Sequence, residues 1–329
     1  MTSTAPLVTI FGGSGFVGRY VARRMARQGW RVRVAVRRPN DALFVRTYGA
    51  VGQVEPVQAN IRDEASCARV IAGADAVVNC VGILIEQGPQ RFHAVQAEGA
   101  GRVARLAAGA GVQRLVHLSA IGADPDSPAR YARSKAEGEA LVRAAFPAAT
   151  ILRPSIIFGP EDQFFNRFAA MARVLPVLPI VGADTRFQPV YVDDVAAAAE
   201  AALTADRPGL FELGGPEVET FRALMERMLR VIHRRRPIIA LPFWLARIQA
   251  GVLDAAAALS LGLVPNRLLT RDQVEMLRRD NIVAPGMPGL ADLGVTPTAM
   301  DAVLESYLYP YRPYGQYAEI TESAERLRE

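Results

Sequence analysis

The stretch "LVTIFGGSGFVGRYVARRMARQG", residues 7–29, restricts the possible folds more than any other part of the chain. An apolar strand runs into a turn in which Gly12, Gly15 and Gly18 keep the spacing GxxGxxG, and the turn opens directly into a helical segment. Glycine there lets the backbone turn tightly and come close to a pyrophosphate. The free N–H groups and the positive end of the helix stabilise that charge. Phe16 and Val17 lie between the glycines and count with them as cofactor contacts. The alternative is a glycine-rich turn kept only for packing a helix on a strand.

Short apolar runs continue in alternation with helical segments: "RVRVAV", "VEPVQA", "DAVVNCV", "RLVHLS" and "ATILRPS". Strand then helix, repeated, predicts an α/β fold, a Rossmann-like doubly wound parallel sheet covered on both faces. From about residue 214 the alternation gives way to helices. The expected division is a nucleotide-binding domain over 1–213 and a smaller, mainly helical C-terminal domain over 214–329. With 329 residues, half of them hydrophobic, the chain buries such a core without staples. Cys67 and Cys80 are too few for a disulfide framework and fit a reducing compartment.

The second strand ends at Val36, where an NAD-selective fold usually offers a carboxylate to the adenosine ribose, and continues into Arg37 and Arg38. An arginine pair suits a 2′-phosphate, so NADP(H) is expected over NAD(H); the other reading is two more solvated arginines. After the third strand, Asn60 to Asp63 is the expected adenine contact. Gly82 closes the fourth strand, where the nicotinamide half would lie.

Lys135 is the only lysine among 38 basic residues. It follows Tyr131 by four positions on the helix "ARYARSKAEGEALVRAAF", so the two side chains share a face. A compact ammonium donates to both hydroxyls of a nicotinamide ribose and favours a neighbouring tyrosinate; a planar guanidinium is poorly shaped to do both.

With the glycine turn, Tyr131-xxx-Lys135, "RPSIIFGP" (153–160) and "VYVDDVA" (190–196), residues 7–215 resemble the extended short-chain dehydrogenase/reductases. The resemblance adds Pro154 and Ile157 to the cofactor contacts and implies a serine after the fifth strand as the third member of the reacting group. Here the sequence departs. Only Ser119 is present, followed by Ala120 and Ile121, and Gln96 stands where those enzymes commonly carry asparagine. Ser119 is therefore expected to bond at the strand end and contact the cofactor. No catalytic residue is assigned, Tyr131 and Lys135 being a vestigial dyad.

The segments "LPFWLARIQA", "LTRDQVEMLRRDNIV", "LADLGVTPTAMDAVLESYL" and "YRPYGQYAE" extend the resemblance nearly end to end, from Leu7 to about Glu319. They look like the NAD(P)H-binding accessory subunits of respiratory complex I, an atypical branch of the same superfamily. That resemblance implies a non-catalytic, nucleotide-bound subunit near the quinone site, with other complex I subunits as partners. The alternative is a free-standing NADP-dependent reductase or epimerase.

In the long segment 243–263, Leu245, Ile248, Val252, Leu259 and Leu263 form one stripe, and Arg247 and Asp254 share another face. The stripe packs on the protein's own core, on a partner or at a membrane interface. Its charge-free run is too short to span a bilayer. The net charge of +5 favours an anionic partner: a nucleotide, acidic lipid headgroups or an acidic protein face. "HRRRP" at 233–237 reads as a solvated basic turn or, beside this helix, as a contact for acidic headgroups. No pattern points to nucleic acid. His93, His117 and His233 are too scattered for a metal site. The tyrosine-rich tail from Ser306 is expected as an arm on a partner or an ordered tail. The N-terminus shows neither a signal nor a transit peptide. With the complex I resemblance, this leads to an expected place on the cytoplasmic side of a bacterial inner membrane.

Overall fold

The structure, a computed structural model, describes residues 5–259, 269–313 and 315, with backbone alone for 253–259. The chain runs through β1 (Leu7–Phe11), α1 (Phe16–Arg27), β2 (Arg31–Val36), β3 (Val54–Gln58), α2 (Glu64–Ile71), β4 (Ala76–Asn79), α3 (Glu98–Gly109), β5 (Arg114–Leu118), α4 (Arg130–Ala145) and β6 (Thr150–Pro154). It continues with β7 (Ile157–Phe158), α5 (Phe165–Val174), β8 (Leu178–Val181), β9 (Arg186–Phe187), β10 (Val190–Tyr191), α6 (Val192–Thr204) and β11 (Gly209–Leu213). It ends with β12 (Glu219–Thr220), α7 (Phe221–Val231), β13 (Ile238–Leu241), α8 (Phe243–Leu259), α9 (Arg271–Met276) and α10 (Asp301–Leu308).

Seven strands form one parallel sheet in the order β11-β6-β5-β4-β1-β2-β3, so the strand order reverses between β1 and β4. The expected parallel sheet is present. Alternation along β1 explains why both faces must be covered: Val8 and Ile10 enter a core with α1 and α6, while Leu7 and Phe11 enter a second core with α2 and α3. Thr9, buried between them, donates to Val70 O at 2.7 Å. The edge strand β11, "GLFEL", was not among the expected strands. It pairs with β6 from Gly209↔Thr150 to Leu213↔Pro154.

A further core gathers Phe158, Phe165 and Phe187 with Phe221, Leu224, Met225 and Met228 of α7 and Leu304 and Leu308 of α10. Residues 158–187 thus pack with segments that follow residue 213. In the other direction, Leu290 and Leu293 join the core on the α1 and α6 face.

The tail takes a compact course. Tyr307 is buried and donates to Asp162 Oδ2 at 2.7 Å, Tyr311 donates to Asn166 Oδ1 at 3.1 Å, and Arg312 Nε donates to Val231 O. Up to Arg312 it lies on the core that Phe158, Phe165 and α7 form; Tyr314 and residues 316–329 lie outside the described residues.

On α8 the apolar stripe points to solvent. Leu245, Ile248 and Val252 are exposed, as is Trp244, while the small residues Ala246 and Ala250 pack against Val181 and Val274. The stripe positions Leu259 and Leu263 and the charge at Asp254 lie outside the described side chains. Among the described residues no helix is long and apolar enough to cross a membrane.

Candidate functional site

The candidate residues collect along the carboxyl ends of the parallel strands, on both sides of the order reversal, where an open α/β sheet leaves its crevice. Gly12 has φ +72° and its turn is closed by Gly15 N donating to Gly12 O at 2.9 Å. A side chain at Gly18 would collide with Gly12 O and Gly13 Cα, so that position closes helix on turn. No side chain caps α1, and its first turn, with Phe16 and Val17, carries no acid. No described side chain takes the amides that a helix leaves free at this end, and the Glu161 carboxylate that lies on this part of α1 is paired with Arg19 at 3.0 Å. This cradle fits a dinucleotide pyrophosphate.

Arg37 and Arg38 are exposed just beyond β2, and Arg38 lies 3.9 Å from Asp41. Asn60 Oδ1 accepts from Arg62 N at 3.1 Å. Asp63 caps α2 by accepting from Ala65 N, which commits one carboxylate oxygen to the helix. Between these two, Arg62 Nε is buried without a hydrogen-bond partner among the described residues.

Gly82 and Lys135 come together: a Cβ on Gly82 would stand 3.5 Å from Lys135 Nζ and from Gln96 Oε1. Lys135 is 4% exposed, donates to Leu118 O at 3.2 Å and sits 5.9 Å from the centre of the Tyr131 ring. Burial brings Lys135 down to about 8, against the opposing pull of Glu139 and Cys80. Tyr131 packs edge-on against Phe92 at 5.8 Å and is pushed up to about 12 by burial and, second, by Asp272. Gln96 lies in a π-helical turn, His93–Ala97, and donates to Ser134 Oγ at 2.9 Å. Pro154 O accepts from Ile121 N at 3.0 Å, which ties the ends of β5 and β6. Ile157 follows in β7; the next strand end brings Gly159 toward Phe16, where a Cβ would lie 3.5 Å from the ring.

Ser119 is turned to another task. Its Oγ donates to Glu139 Oε1 at 2.5 Å, and both residues are buried. Glu139 also takes two bonds from Arg153, both 2.8 Å, and one from Arg143 at 3.2 Å. Arg153 reaches Glu212 of β11 at 3.4 Å. The hydroxyl proton is thus held by a structural carboxylate. Glu139 lies one turn after Lys135 on α4, so helical spacing alone was enough to find it on this face.

Another group came from outside any motif. The N-terminus of α4 has no side-chain cap of its own, and Asp272 of α9 supplies one: Oδ1 accepts from Arg130 N at 2.6 Å and Oδ2 from Tyr131 N at 3.0 Å. The same segment holds on at two further points. Arg279 pairs with Asp124 at 2.7 Å, and Asn281 Oδ1 accepts from Ser155 Oγ at 2.7 Å and Ile156 N at 3.1 Å. The sequence signal was the Thr270–Gln273 capping box that starts α9, but nothing local reveals a partner 141 residues back. Tyr131 and Lys135 are thus a neutral phenol and a buried ammonium beside the glycine turn, and no hydroxyl among the described residues hydrogen-bonds the Tyr131 phenol or Lys135 Nζ; Ser134 Oγ donates to the Tyr131 main-chain oxygen. Among those residues, too, no group of three or more His, Cys, Asp or Glu side chains is arranged to hold a metal ion.

The chain belongs to the NAD dependent epimerase/dehydratase family, whose model matches residues 8–214. Within that class it belongs with the subunit 9 proteins of the NADH dehydrogenase [ubiquinone] 1 alpha subcomplex. The mitochondrial one of Arabidopsis thaliana is 34% identical over 316 residues, covering 94% of this chain and 79% of that protein. A ceramide reductase of Caulobacter vibrioides is 32% identical over 258 residues, 78% of each chain. In fold, the chain is similar to the Thermus thermophilus UDP-glucose 4-epimerase complex with NAD, with a TM-score of 0.66 at 19% identity over 93% of this chain and 99% of that one.

These relatives correct the expected location. The matched subunit 9 proteins of Arabidopsis thaliana, Rattus norvegicus and Dictyostelium discoideum, and the 40 kDa subunit of the Neurospora crassa NADH-ubiquinone oxidoreductase, are mitochondrial, which overturns the placement on the cytoplasmic side of a bacterial inner membrane. That placement rested on the absence of a transit peptide, a segment removed from mature chains and therefore no guide to where a fold resides.

Proposed function

We propose that this chain is an accessory, non-catalytic subunit of the proton-pumping NADH:ubiquinone oxidoreductase that holds a structural NADP(H) near the quinone site, at the junction of the peripheral and membrane arms. Its partners are the neighbouring subunits of that complex and, at the exposed stripe of α8, an anionic lipid surface. The observation that carries the proposal is Ser119: in a chain related over 94% of its length to a subunit 9 protein, the hydroxyl that would serve chemistry is bound to the buried Glu139. What remains suits retention. The α1 turn would bind the pyrophosphate, Lys135 the nicotinamide ribose, and Gly82, Pro154 and Ile157 the walls beside the ring. A bound nucleotide stabilises the fold by about 4 kcal/mol at a thousandfold excess over Kd.

NADP(H) is favoured over NAD(H) because Arg37 and Arg38 are exposed past β2 with only the distant Asp41 near Arg38. Mass spectrometry of nucleotide released from the denatured native protein tests this: NADP(H) is expected, and NAD(H) in wild type would reverse the assignment. Arg37→Ala with Arg38→Ala should remove the preference.

A second reading is favoured by one specific observation, the 32% identity to a ceramide reductase together with an intact Tyr131 and Lys135. In it the chain is a free-standing NADP-dependent reductase, with Ser119 or a water in place of the missing hydroxyl. Nicotinamide turnover on a panel of carbonyl substrates, abolished by Tyr131→Phe, would select it.

A further inference from the structure

Around α7 the chain treats its arginines in two ways. Arg227 is surrounded by carboxylates: it pairs with Glu219, with Asp301 at 2.5 Å and with Glu217 at 3.7 Å. Arg222 and Arg230 of the same helix and Arg234, Arg235 and Arg236 of the turn that follows it line a groove of about 940 Å³. Among the described residues, none of these five has a carboxylate within ion-pair distance. Two acids border the groove: Glu219, already taken by Arg227, and Glu226, which is exposed.

Three of the guanidinium groups are fixed nonetheless, by neutral main-chain oxygens. Arg234 Nε donates to Tyr311 O at 2.8 Å, Arg236 Nε to Ala172 O at 3.0 Å, and Arg222 Nη1 to Ile238 O at 3.5 Å. A carbonyl orients a guanidinium without cancelling its charge. The crowding has a cost: burial, then Arg236 and Arg173, hold Arg234 below the ordinary arginine range. A fold that orients positive charges against one another leaves the groove suited to a multiply charged oxyanion, whose oxygens accept from several guanidinium donors at once.

From these residues we infer that the groove between α7 and the 233–237 turn binds the phosphate group of an anionic ester, with Arg222, Arg234 and Arg236 as fixed donors and Arg230 and Arg235 as outer charges. Two sources carry that chemistry: a phospholipid headgroup or a soluble phosphate ester. The apolar residues next to the groove bear on the choice. The turn leads through β13 into α8, and Ile239, Trp244, Ile248 and Val252 are all exposed. This site deepens the lipid contact proposed above and rests on that part of it alone.

The test uses the full chain. Flotation with vesicles of phosphatidylglycerol in phosphatidylcholine reports the headgroup source, and calorimetry with glycerol 1-phosphate and inorganic phosphate reports the soluble one. Arg234→Gln with Arg236→Gln is expected to weaken vesicle binding about 25-fold, about fivefold per charge near an anionic surface. Arg235→Glu, at an exposed site, gives a second variant that leaves the fixed donors in place and should also weaken binding. Arg46→Gln with Arg69→Gln removes the same charge elsewhere on the exposed surface and should change binding less than threefold. Binding to vesicles but not to soluble phosphate identifies a headgroup, and binding of the soluble ester identifies a free ligand. Absence of both, or an equal loss in the control pair, overturns the inference. Nucleotide content of the same samples is measured in parallel, so that failure of the groove is distinguishable from failure of the nucleotide assignment.

Discussion

Replacing Lys135 by Met should make the empty protein more stable while making it a worse holder of nucleotide, two effects of opposite sign from one atom. In the folded chain the ammonium titrates at about 8, against 10.5 for an unperturbed lysine, because burial outweighs Glu139 and Cys80. That difference corresponds to roughly 3 kcal/mol set against folding at neutral pH. Losing the bond to Leu118 O costs about 1 kcal/mol, so Lys135→Met should gain about 2 kcal/mol at pH 7 without nucleotide. The sign of the pH dependence follows from proton counts. Between about pH 8 and 10.5 the unfolded chain keeps the lysine proton and the folded chain has lost it, so wild-type stability from this group rises with pH and the advantage of Met shrinks. Cys67 and Cys80, pushed up to about 11 and about 12, act in the opposite direction above pH 9. The wild-type minus variant difference isolates the lysine. Urea melts of the nucleotide-free proteins from pH 7 to 9.5 measure it. Fluorescence titration with NADPH over the same range should show wild-type affinity falling about tenfold per pH unit above pH 8 as the ammonium is lost. An affinity flat from pH 7 to 9.5, or a Met variant less stable than wild type at pH 7, would refute the role given to Lys135.

Asp272→Ala removes the side-chain cap on α4 and should cost about 1–2 kcal/mol in chemical denaturation. It should also bring the Tyr131 titration down from about 12, read as tyrosinate absorbance against a Tyr131→Phe control. Glu139→Ala removes the two 2.8 Å bonds to Arg153, leaving it Glu212 at 3.4 Å, and the acceptor of the buried Ser119 hydroxyl, and should destabilise by about 3–5 kcal/mol; a melt within about 1 kcal/mol of wild type would deny that this carboxylate organises the strand ends. Gly18→Ala forces a methyl against Gly12 O and should cost about 1–3 kcal/mol and release bound nucleotide; unchanged nucleotide content after gel filtration would count against the cradle.

The parallel sheet was legible because its strands are buried on both faces and read as apolar runs ended by glycine or polar turns, as in Leu7–Phe11 and Ala76–Asn79. Lys135 was legible for a different reason: an arginine-rich chain keeps one lysine only where a guanidinium fails. The retasking of Ser119 was half legible. The missing neighbouring hydroxyls predicted it, but its partner Glu139 carries its meaning only once α4 lies across β5. Asp272 was illegible, because a cap contributed across 141 residues has no local pattern. For the stripe on α8, periodicity gives the face but not what covers it. Ala246 and Ala250, small enough for close packing, took the inner side and left Ile248 and Val252 outside. The groove at 233–237 looked like a solvated basic turn until main-chain oxygens were seen to fix its arginines.

The most direct test of the central claim is to purify the full chain, tagged at its C-terminus, from native membranes in mild detergent, and to identify what migrates with it on a sizing column. Co-elution with the iron–sulfur and quinone-site subunits of NADH:ubiquinone oxidoreductase, carrying stoichiometric NADP(H), is the predicted result. Elution alone as a monomer or dimer that oxidises or reduces nicotinamide on a carbonyl substrate would contradict it.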